Sequence, residues 1–343
     1  GDWASQIAEV HSGKVQVDLA SITVANQKAR FVCGEHGEFR SVLQDVVTGH
    51  GCPRCKASTS RGEDGIREWL DGMGIKTAAS DRETLGGKEI DILLPEHRVG
   101  IEFCGLYWHS ERFMSEDYHR NKMIVARQAG IRLITVFEDE WELRADIVKA
   151  QILGVIGANE ALNARSMTVA PVSWKEAQEF LYLWHMNGAG TPVKICYGMY
   201  SGSRLVSVLT IGKARFDKGT GHYELYRYCV GEYVRVRGGL GKMLSRALSD
   251  YPGIQSLVTY ADLRWGTGEG YRAVGFTYVK DTKPGYYWCR HLNRHNRHHM
   301  QKHKLKDILK TYDHDMTEVE NCQTNGYYRI WDCGSSKWEL KRG

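Results

Sequence analysis

Residues 89–105 read EIDILLPEHRVGIEFCG, and this stretch decides the fold of the middle of the chain. Apolar residues fill two short runs, 89–95 and 98–105, a pattern typical of buried β-strands joined by a turn. One acidic residue lies between apolar neighbours in each run, Asp91 in the first and Glu102 in the second. Strand propensity and burial both disfavour carboxylates at such positions. Each carboxylate therefore needs a partner that offsets the unfavourable free energy of a charge in a buried strand.

A divalent cation is the natural partner for these carboxylates. Neighbouring antiparallel strands bring Asp91 and Glu102 to one edge, about 4–6 Å apart. Two unpaired carboxylates that close raise each other's pKa, and a cation relieves the repulsion. Oxygen ligands favour Mg²⁺ or Mn²⁺, and Glu63 on the preceding helix can supply a third oxygen, directly or through water. The alternative is that both carboxylates form surface salt bridges.

The flanking sequence predicts a mixed α/β (α+β) fold. Helical spacing of apolar residues covers 62–74, 116–129 and 141–154, and residues 131–137 have the pattern of a further strand. Residues 193–290 alternate between strand and helix patterns. The expected core is therefore a sheet with helices against it, followed by a second α/β region.

Two short motifs near the N-terminus have the spacing of a zinc site. Cys33-Gly-Glu-His36 is separated by fifteen residues from Cys52-Pro-Arg-Cys55. A segment of about 57 residues seldom holds a core without a metal or disulfide. His50 is a competing donor, but His36 completes the first knuckle. We expect a structural Zn²⁺ in a zinc ribbon, because four protein ligands leave no open position. The predicted ligands are Cys33, His36, Cys52 and Cys55.

Composition and patterning divide the chain into 1–57, 58–160 and 161–343. The 343 residues include 42% hydrophobic residues and carry a net charge of +5, values of an ordinary folded protein with a mild basic excess. No run of about 18 apolar residues and no signal-peptide pattern occurs, so neither a membrane partner nor secretion is expected. Nine cysteines scattered through a long chain favour a reducing compartment.

The middle segment resembles a known nuclease family. The helix with Glu63, the EIDILLP strand and GIEFCGLYWHSE resemble phage homing endonucleases related to the very-short-patch repair nuclease, a branch of the PD-(D/E)xK superfamily. Asp91 and Glu102 match its acidic pair, and Tyr107-Trp108-His109 is similar to its F-W-H segment. The resemblance implies a Mg²⁺-dependent, site-specific endonuclease of double-stranded DNA. It also implies a phage-encoded protein in the host cytoplasm, a monomer or a homodimer on DNA.

One position departs from this family. The superfamily's lysine, two residues after the acidic residue, is Cys104 here. A thiol cannot stabilise a phosphorane as lysine does, so His109 or Lys122 would take that role. His109 is expected to act as general base, or as acid toward the leaving 3′-oxygen.

The C-terminal half resembles the acyl-CoA N-acetyltransferase fold. Its Gly-rich run Arg235-Val-Arg-Gly-Gly-Leu-Gly241 precedes a helix, as in the pyrophosphate-binding turn of that fold. Val236 stands where the family has Arg or Gln. The tail 301–334 is similar to a domain appended to phage homing nucleases, so this half is interpreted as a DNA-reading module. The alternatives are an N-acetyltransferase acting on nucleic acid, and a DNA-binding protein with a degenerate nuclease.

A basic stretch, 290–310, has seven Lys or Arg and five His against one acidic residue, Asp307. Such a stretch predicts a surface or helix that binds DNA phosphates, or else a solvated face. Arg264, beside Trp265, is a further candidate for DNA contact. The predicted DNA-binding residues are Arg264, Arg290, Arg294, Arg297, Lys302, Lys304 and Lys306.

Overall fold

The computed structural model describes residues 2–22, 28–34, 37–53, 61–216 and 219–342. Its contacts divide the chain into an N-terminal unit, Gly1–Thr77, and a C-terminal unit, Ala78–Gly343. Helices and strands are mixed in both units, which confirms the α/β class. The division at residues 57 and 160 stays a prediction. Within the described ranges, the helices lack the combination of length and hydrophobicity needed to span a bilayer.

The N-terminal unit is a small antiparallel sheet covered by helices. In chain order it contains α1 (Trp3–Val10), β1 (Val15–Val17), β2 (Lys28–Cys33), β3 (Gly37–Val42), α2 (Leu43–Val47) and α3 (Arg61–Gly72). The strands pair in the order β1-β2-β3. Alternate residues of β2, including Ala29 and Phe31, face the core, where Ile7 and Leu43 from the helices meet them. The core is thus formed from residues that alternate along one strand.

The C-terminal unit begins with a four-stranded sheet. Its elements are β4 (Ala78–Leu85), β5 (Lys88–Leu94), β6 (Val99–Cys104), α4 (Tyr118–Gln128), β7 (Arg132–Phe137) and α5 (Glu138–Ile156). The strand order is β4-β5-β6-β7, and β6 and β7 run parallel. Every residue of β6 is buried, as expected for a central strand of an α/β layer. The predicted strands and helices of this region are confirmed, with ends shifted by a few residues.

A seven-stranded sheet forms most of the rest. The remaining elements are β8 (Glu160–Asn163), β9 (Thr168–Pro171), α6 (Trp174–Trp184), β10 (Ile195–Ser201), β11 (Arg204–Lys213), β12 (His222–Val230), β13 (Val234–Arg237), α7 (Gly239–Asp250), β14 (Ser256–Asp262), α8 (Glu269–Arg272), β15 (Thr277–Asp281), β16 (Tyr286–Arg290), β17 (Asn293–Asn296), α9 (Lys302–Leu305), α10 (Glu318–Thr324), β18 (Tyr328–Trp331) and β19 (Ser335–Lys341). The large sheet has the order β15-β19-β14-β12-β11-β10-β9. Strands β12 and β14 pair in parallel, and α7 packs on the sheet through Met243 and Leu244.

A third sheet, in the order β17-β16-β18, packs against the four-stranded sheet. Cys104, Leu106 and Phe137 from the four-stranded region form one apolar cluster with Cys289 and Ile330. The basic stretch, 290–310, starts in the hairpin of β16 and β17 and continues into the short helix α9. The four-stranded region and the third sheet therefore contribute to one apolar cluster.

Candidate functional site

Strands β5 and β6 place Asp91 and Glu102 side by side. Ile92 pairs with Ile101 in antiparallel register. Asp91 precedes Ile92 and Glu102 follows Ile101, so the two acidic residues lie opposite each other on neighbouring strands. Their side chains are on the other face of the sheet from those of the two isoleucines. Asp91 Oδ2 accepts a hydrogen bond from the backbone N–H of Phe103 at 2.8 Å. Asp91 is partly exposed, whereas Glu102 is 2% exposed. The sheet therefore brings together the two carboxylates that the sequence singled out.

Helix α4 adds a cation to this pair. The Lys122 ammonium donates a hydrogen bond to Glu102 Oε2, and both groups are buried. Burial, and then the neighbouring Asp91 carboxylate, raise the pKa of Glu102 to about 8 against the opposing effect of Lys122. Lys122 thus supplies a positive charge beside the acidic pair, where Cys104 cannot.

The donor set fits a hard divalent cation. Glu102 Oε1 is buried and has no hydrogen-bond partner among the described residues. A buried carboxylate oxygen left without a partner costs free energy, and a cation held by Asp91 and Glu102 would satisfy it. Glu63 lies in the first turn of α3, in the N-terminal unit. Its contribution of a third oxygen stays a prediction.

His109 lies in the turn after β6, with its imidazole against α4. Its ring stacks on that of His119, with centroids 5.2 Å apart and planes 13° apart, and Tyr118 meets it edge-on. Burial and the nearby Lys122 lower the pKa of His109 to about 4. The imidazole is therefore neutral near pH 7, which is the protonation state that a general base needs, whereas the acid role needs the protonated ring.

Sequence reasoning did not assign His119 a role. It lies one helical turn before Lys122 on α4, so both side chains face the sheet. Burial lowers its pKa well below the usual range, and Cys104 Sγ lies 3.7 Å from its Nδ1. The i, i+3 spacing of His119 and Lys122 is the sequence signal that could have paired them.

Arg264 and Arg294 are a correction to the predicted DNA-binding set, because both guanidiniums are internal. Arg264 is 1% exposed and forms ion pairs with Glu140 at 3.0 Å and Asp262 at 3.1 Å. Arg294 contacts Asp139 at 3.0 Å and Glu140 at 2.6 Å. Burial would raise the pKa of Glu140, but the two guanidiniums lower it to about 2. These arginines neutralise buried carboxylates and are not available to a DNA phosphate.

The other basic residues lie at or near the surface. Arg297 and Lys306 are exposed, and Lys302 is half-buried. Arg290 is half-buried, with its guanidinium 5.6 Å from the Tyr327 ring centroid. Lys304 is also half-buried, and its Nζ donates to His298 O at 2.6 Å. Their role in DNA binding stays a prediction.

A cavity of about 650 Å³ lies where the Gly-rich turn enters α7. Gly238 has φ +73°, a conformation that favours glycine, and precedes the first helical residue. Arg165 and Arg237 line the cavity, while Lys242 Nζ donates to the carbonyls of Ala164 and Met167. Helix N-terminal amides and two guanidiniums make this an anion-binding environment.

The predicted zinc ligands are described in part. Cys33 ends β2 and, like Cys52, is 2% exposed. His36 and Cys55 lie outside the described residues. The zinc site stays a prediction.

The profile of the Mom protein family matches residues 166–332, and no curated protein matches the chain. Among solved structures, the chain is similar to a Bacillus subtilis acetyltransferase in complex with CoA, with 15% identity, TM-score 0.31, and coverage of 52% of this chain and 98% of that one. An acetyltransferase from Thermus thermophilus has 20% identity, TM-score 0.26, and coverage of 34% and 90%. The catalytic domain of the homing endonuclease I-Bth0305I has 26% identity, TM-score 0.24, and coverage of 27% and 91%.

Proposed function

We propose that the chain is a metal-dependent endonuclease of double-stranded DNA whose active site lies at Asp91 and Glu102. The observation that carries the proposal is a buried Glu102 beside Asp91, paired through one oxygen with Lys122 and unpartnered at the other among the described residues. A favourable internal salt bridge needs further hydrogen bonds to the remaining lone pairs of the carboxylate, and Oε1 has none among the described residues. The basic surface of residues 290–310 and the nuclease resemblance of residues 63–141 support DNA as the substrate.

Each residue has a separate task in phosphodiester hydrolysis. Asp91 and Glu102 would hold Mg²⁺, which supplies Lewis-acid stabilisation of the charge that develops on the phosphate. Lys122 presents an ammonium beside the same carboxylate and adds positive potential. The neutral imidazole of His109 accepts the proton of the attacking water.

Plasmid nicking tests the proposal. Asp91→Asn and Glu102→Gln each remove a charged oxygen ligand at nearly constant volume, so Mg²⁺-dependent nicking should fall about 100-fold or more. Glu89→Gln, on the same strand but paired with Arg82, is the matched control and should nick normally. Full activity of Asp91→Asn or Glu102→Gln would refute the assignment, and an inactive wild-type chain that binds DNA would indicate a degenerate nuclease.

The cavity at the start of α7 favours a second candidate, an acyl-CoA-dependent N-acetyltransferase acting on nucleic acid. Arg165 and Arg237 beside the helix N-terminus suit a diphosphate. Calorimetry with acetyl-CoA tests it: binding should weaken in Arg237→Ala and persist in Arg204→Ala, whose guanidinium lies elsewhere and pairs with Glu232. No binding to wild type would leave the C-terminal half as a DNA-reading module whose amides contact phosphate.

A further inference from the structure

Cys104, His109 and His119 form a compact group of metal-binding side chains, here called the Cys–His cluster. One donor atom from each lies within 4.8 Å of the other two. Cys104 ends β6, His119 lies in the first turn of α4, and His109 comes from the turn between them. A strand, a turn and a helix thus each contribute one donor, and the three donors lie close together.

The spacing in the Cys–His cluster suits a tetrahedral ion. Cys104 Sγ and His119 Nδ1 are 3.7 Å apart. Zn–S and Zn–N bonds of about 2.3 and 2.0–2.1 Å at a tetrahedral angle put sulfur and nitrogen about 3.6 Å apart. The separation of this pair of donors therefore agrees with the value expected for two ligands of one Zn²⁺.

The histidines also have unsatisfied atoms. His109 Nδ1 and His119 Nε2 are buried and lack hydrogen-bond partners in the described part of the chain. His119 is 3% exposed and Cys104 fully buried. A buried polar atom without a partner costs free energy. An ion bound at His109 Nδ1 would relieve that cost there, whereas His119 would bind through Nδ1, the nitrogen next to Cys104, and its Nε2 would keep the cost.

We propose that the Cys–His cluster binds Zn²⁺ and that this binding inhibits cleavage by taking the lone pair of His109. A thiolate and two imidazoles select a thiophilic ion, whereas the oxygen ligands Asp91 and Glu102 select Mg²⁺. On binding, one S–Zn and two N–Zn bonds form, the Cys104 thiol releases its proton to solvent, and no atom changes oxidation state. The inhibitory part rests on the proposed function, since it requires His109 to be the base.

Metal counting on the full chain tests the site without relying on activity. Cys104→Ala should bind one Zn²⁺ or Co²⁺ per chain fewer than wild type and lose part of the thiolate-to-cobalt charge-transfer absorption. Cys289→Ala, which alters a buried thiol donating to the Leu106 carbonyl, is the matched control and should bind as wild type does. Any ion held near residues 33–55 is common to all these chains and cancels in the difference.

A second variant guards against loss of folding. His119→Gln keeps a polar side chain on α4 and should lose the same ion, with circular dichroism confirming the fold of each variant. Equal metal content in wild type, Cys104→Ala and His119→Gln would overturn the site.

Zinc titration at constant Mg²⁺ tests the inhibition. Nicking by wild type should fall as Zn²⁺ is added, and the half-inhibitory concentration should rise about 10- to 100-fold in Cys104→Ala. Equal inhibition of both chains would overturn the inhibitory role. If no chain nicks DNA, the proposed function fails, while the metal count still decides whether the site exists.

Discussion

The pKa of Glu102 is set by opposing effects of burial and of two charged neighbours. The position of this residue on a fully buried strand removes water from the carboxylate, and Asp91 adds repulsion, while Lys122 offsets part of both. The balance leaves the pKa of Glu102 at about 8, so below that pH the side chain holds a proton that a metal ion must displace.

We therefore predict that apparent Mg²⁺ affinity depends on pH. Because the pKa of Glu102 is raised, the carboxylate that binds Mg²⁺ becomes more populated as pH rises, and the population levels off above about pH 8. Affinity should increase up to about tenfold per pH unit between pH 6 and 8. The measurement is the Mg²⁺ concentration for half-maximal nicking across pH 6–9.

His109 serves as an internal check on this experiment. Its pKa of about 4 lies well below the measured range, so its protonation does not contribute to the slope. Glu89→Gln should show the same profile as wild type. A half-saturating concentration that stays constant from pH 6 to 8 contradicts the role given to Glu102.

At the scale of elements, ion pairs connect α5 to the part of the chain that follows residue 160. Arg264 and Arg294 both lie over the Phe137 ring, with guanidinium carbons 4.5 Å from its centroid. They neutralise Glu140, in the first turn of α5, and Asp139. A buried network of this kind holds β7 and α5 in one orientation relative to the third sheet.

Arg264→Met should destabilise the C-terminal unit strongly. The change leaves the buried carboxylate of Glu140 with one guanidinium partner instead of two, a loss of about 3–5 kcal/mol in the free energy of unfolding. Arg272→Met removes an exposed pair with Glu269 and should cost about 0–1 kcal/mol. Urea unfolding of both variants measures the difference, and equal costs would show that the network adds no stability.

The basic stretch, 290–310, leads to a prediction about how the affinity for DNA depends on salt concentration. Alanine at Arg297, Lys302, Lys306 and Lys310 should reduce the slope of log K against log[salt] by about 3–4, if each neutralises one phosphate. Specific and unrelated DNA should lose affinity alike, because phosphate contacts do not read sequence. An unchanged slope identifies a solvated face instead.

A control set of four cations from other parts of the C-terminal unit should change this slope by less than about one. These residues are ion-paired with their neighbours and lie outside residues 290–310. They are Arg204, Arg246, Arg272 and Lys341.

At the scale of the whole molecule, the division into two units makes a prediction about zinc. Cys52 is 2% exposed in the N-terminal unit, where we predict a structural ion. Cys52→Ser should lower zinc content by one ion per chain and expose the amides of residues 28–53 to hydrogen exchange. Residues 78–343 should exchange as in wild type, since their core is separate.

Cys196→Ser, a buried thiol in the seven-stranded sheet, is the control and should keep the wild-type zinc content. Unchanged zinc and exchange in Cys52→Ser would refute the predicted knuckle site.

The sequence by itself determined the elements and the acidic pair. Periodicity is a local property, so the runs 89–95 and 98–105 were enough to predict two adjacent strands with Asp91 and Glu102 between buried neighbours. The mixed α/β class followed from the alternation of such patterns along the chain. These features depend on residues a few positions apart, and local sequence contains that information.

Only the tertiary structure decided which charges meet. The two guanidinium partners of Glu140 lie more than a hundred residues away along the chain, and no local pattern distinguishes Arg264 and Arg294 from exposed arginines. The same holds for the Cys–His cluster, whose third member, His119, joins Cys104 because α4 folds back onto β6. Burial converts such residues from surface charges into internal partners, and burial is set by packing between distant segments rather than by the residues themselves.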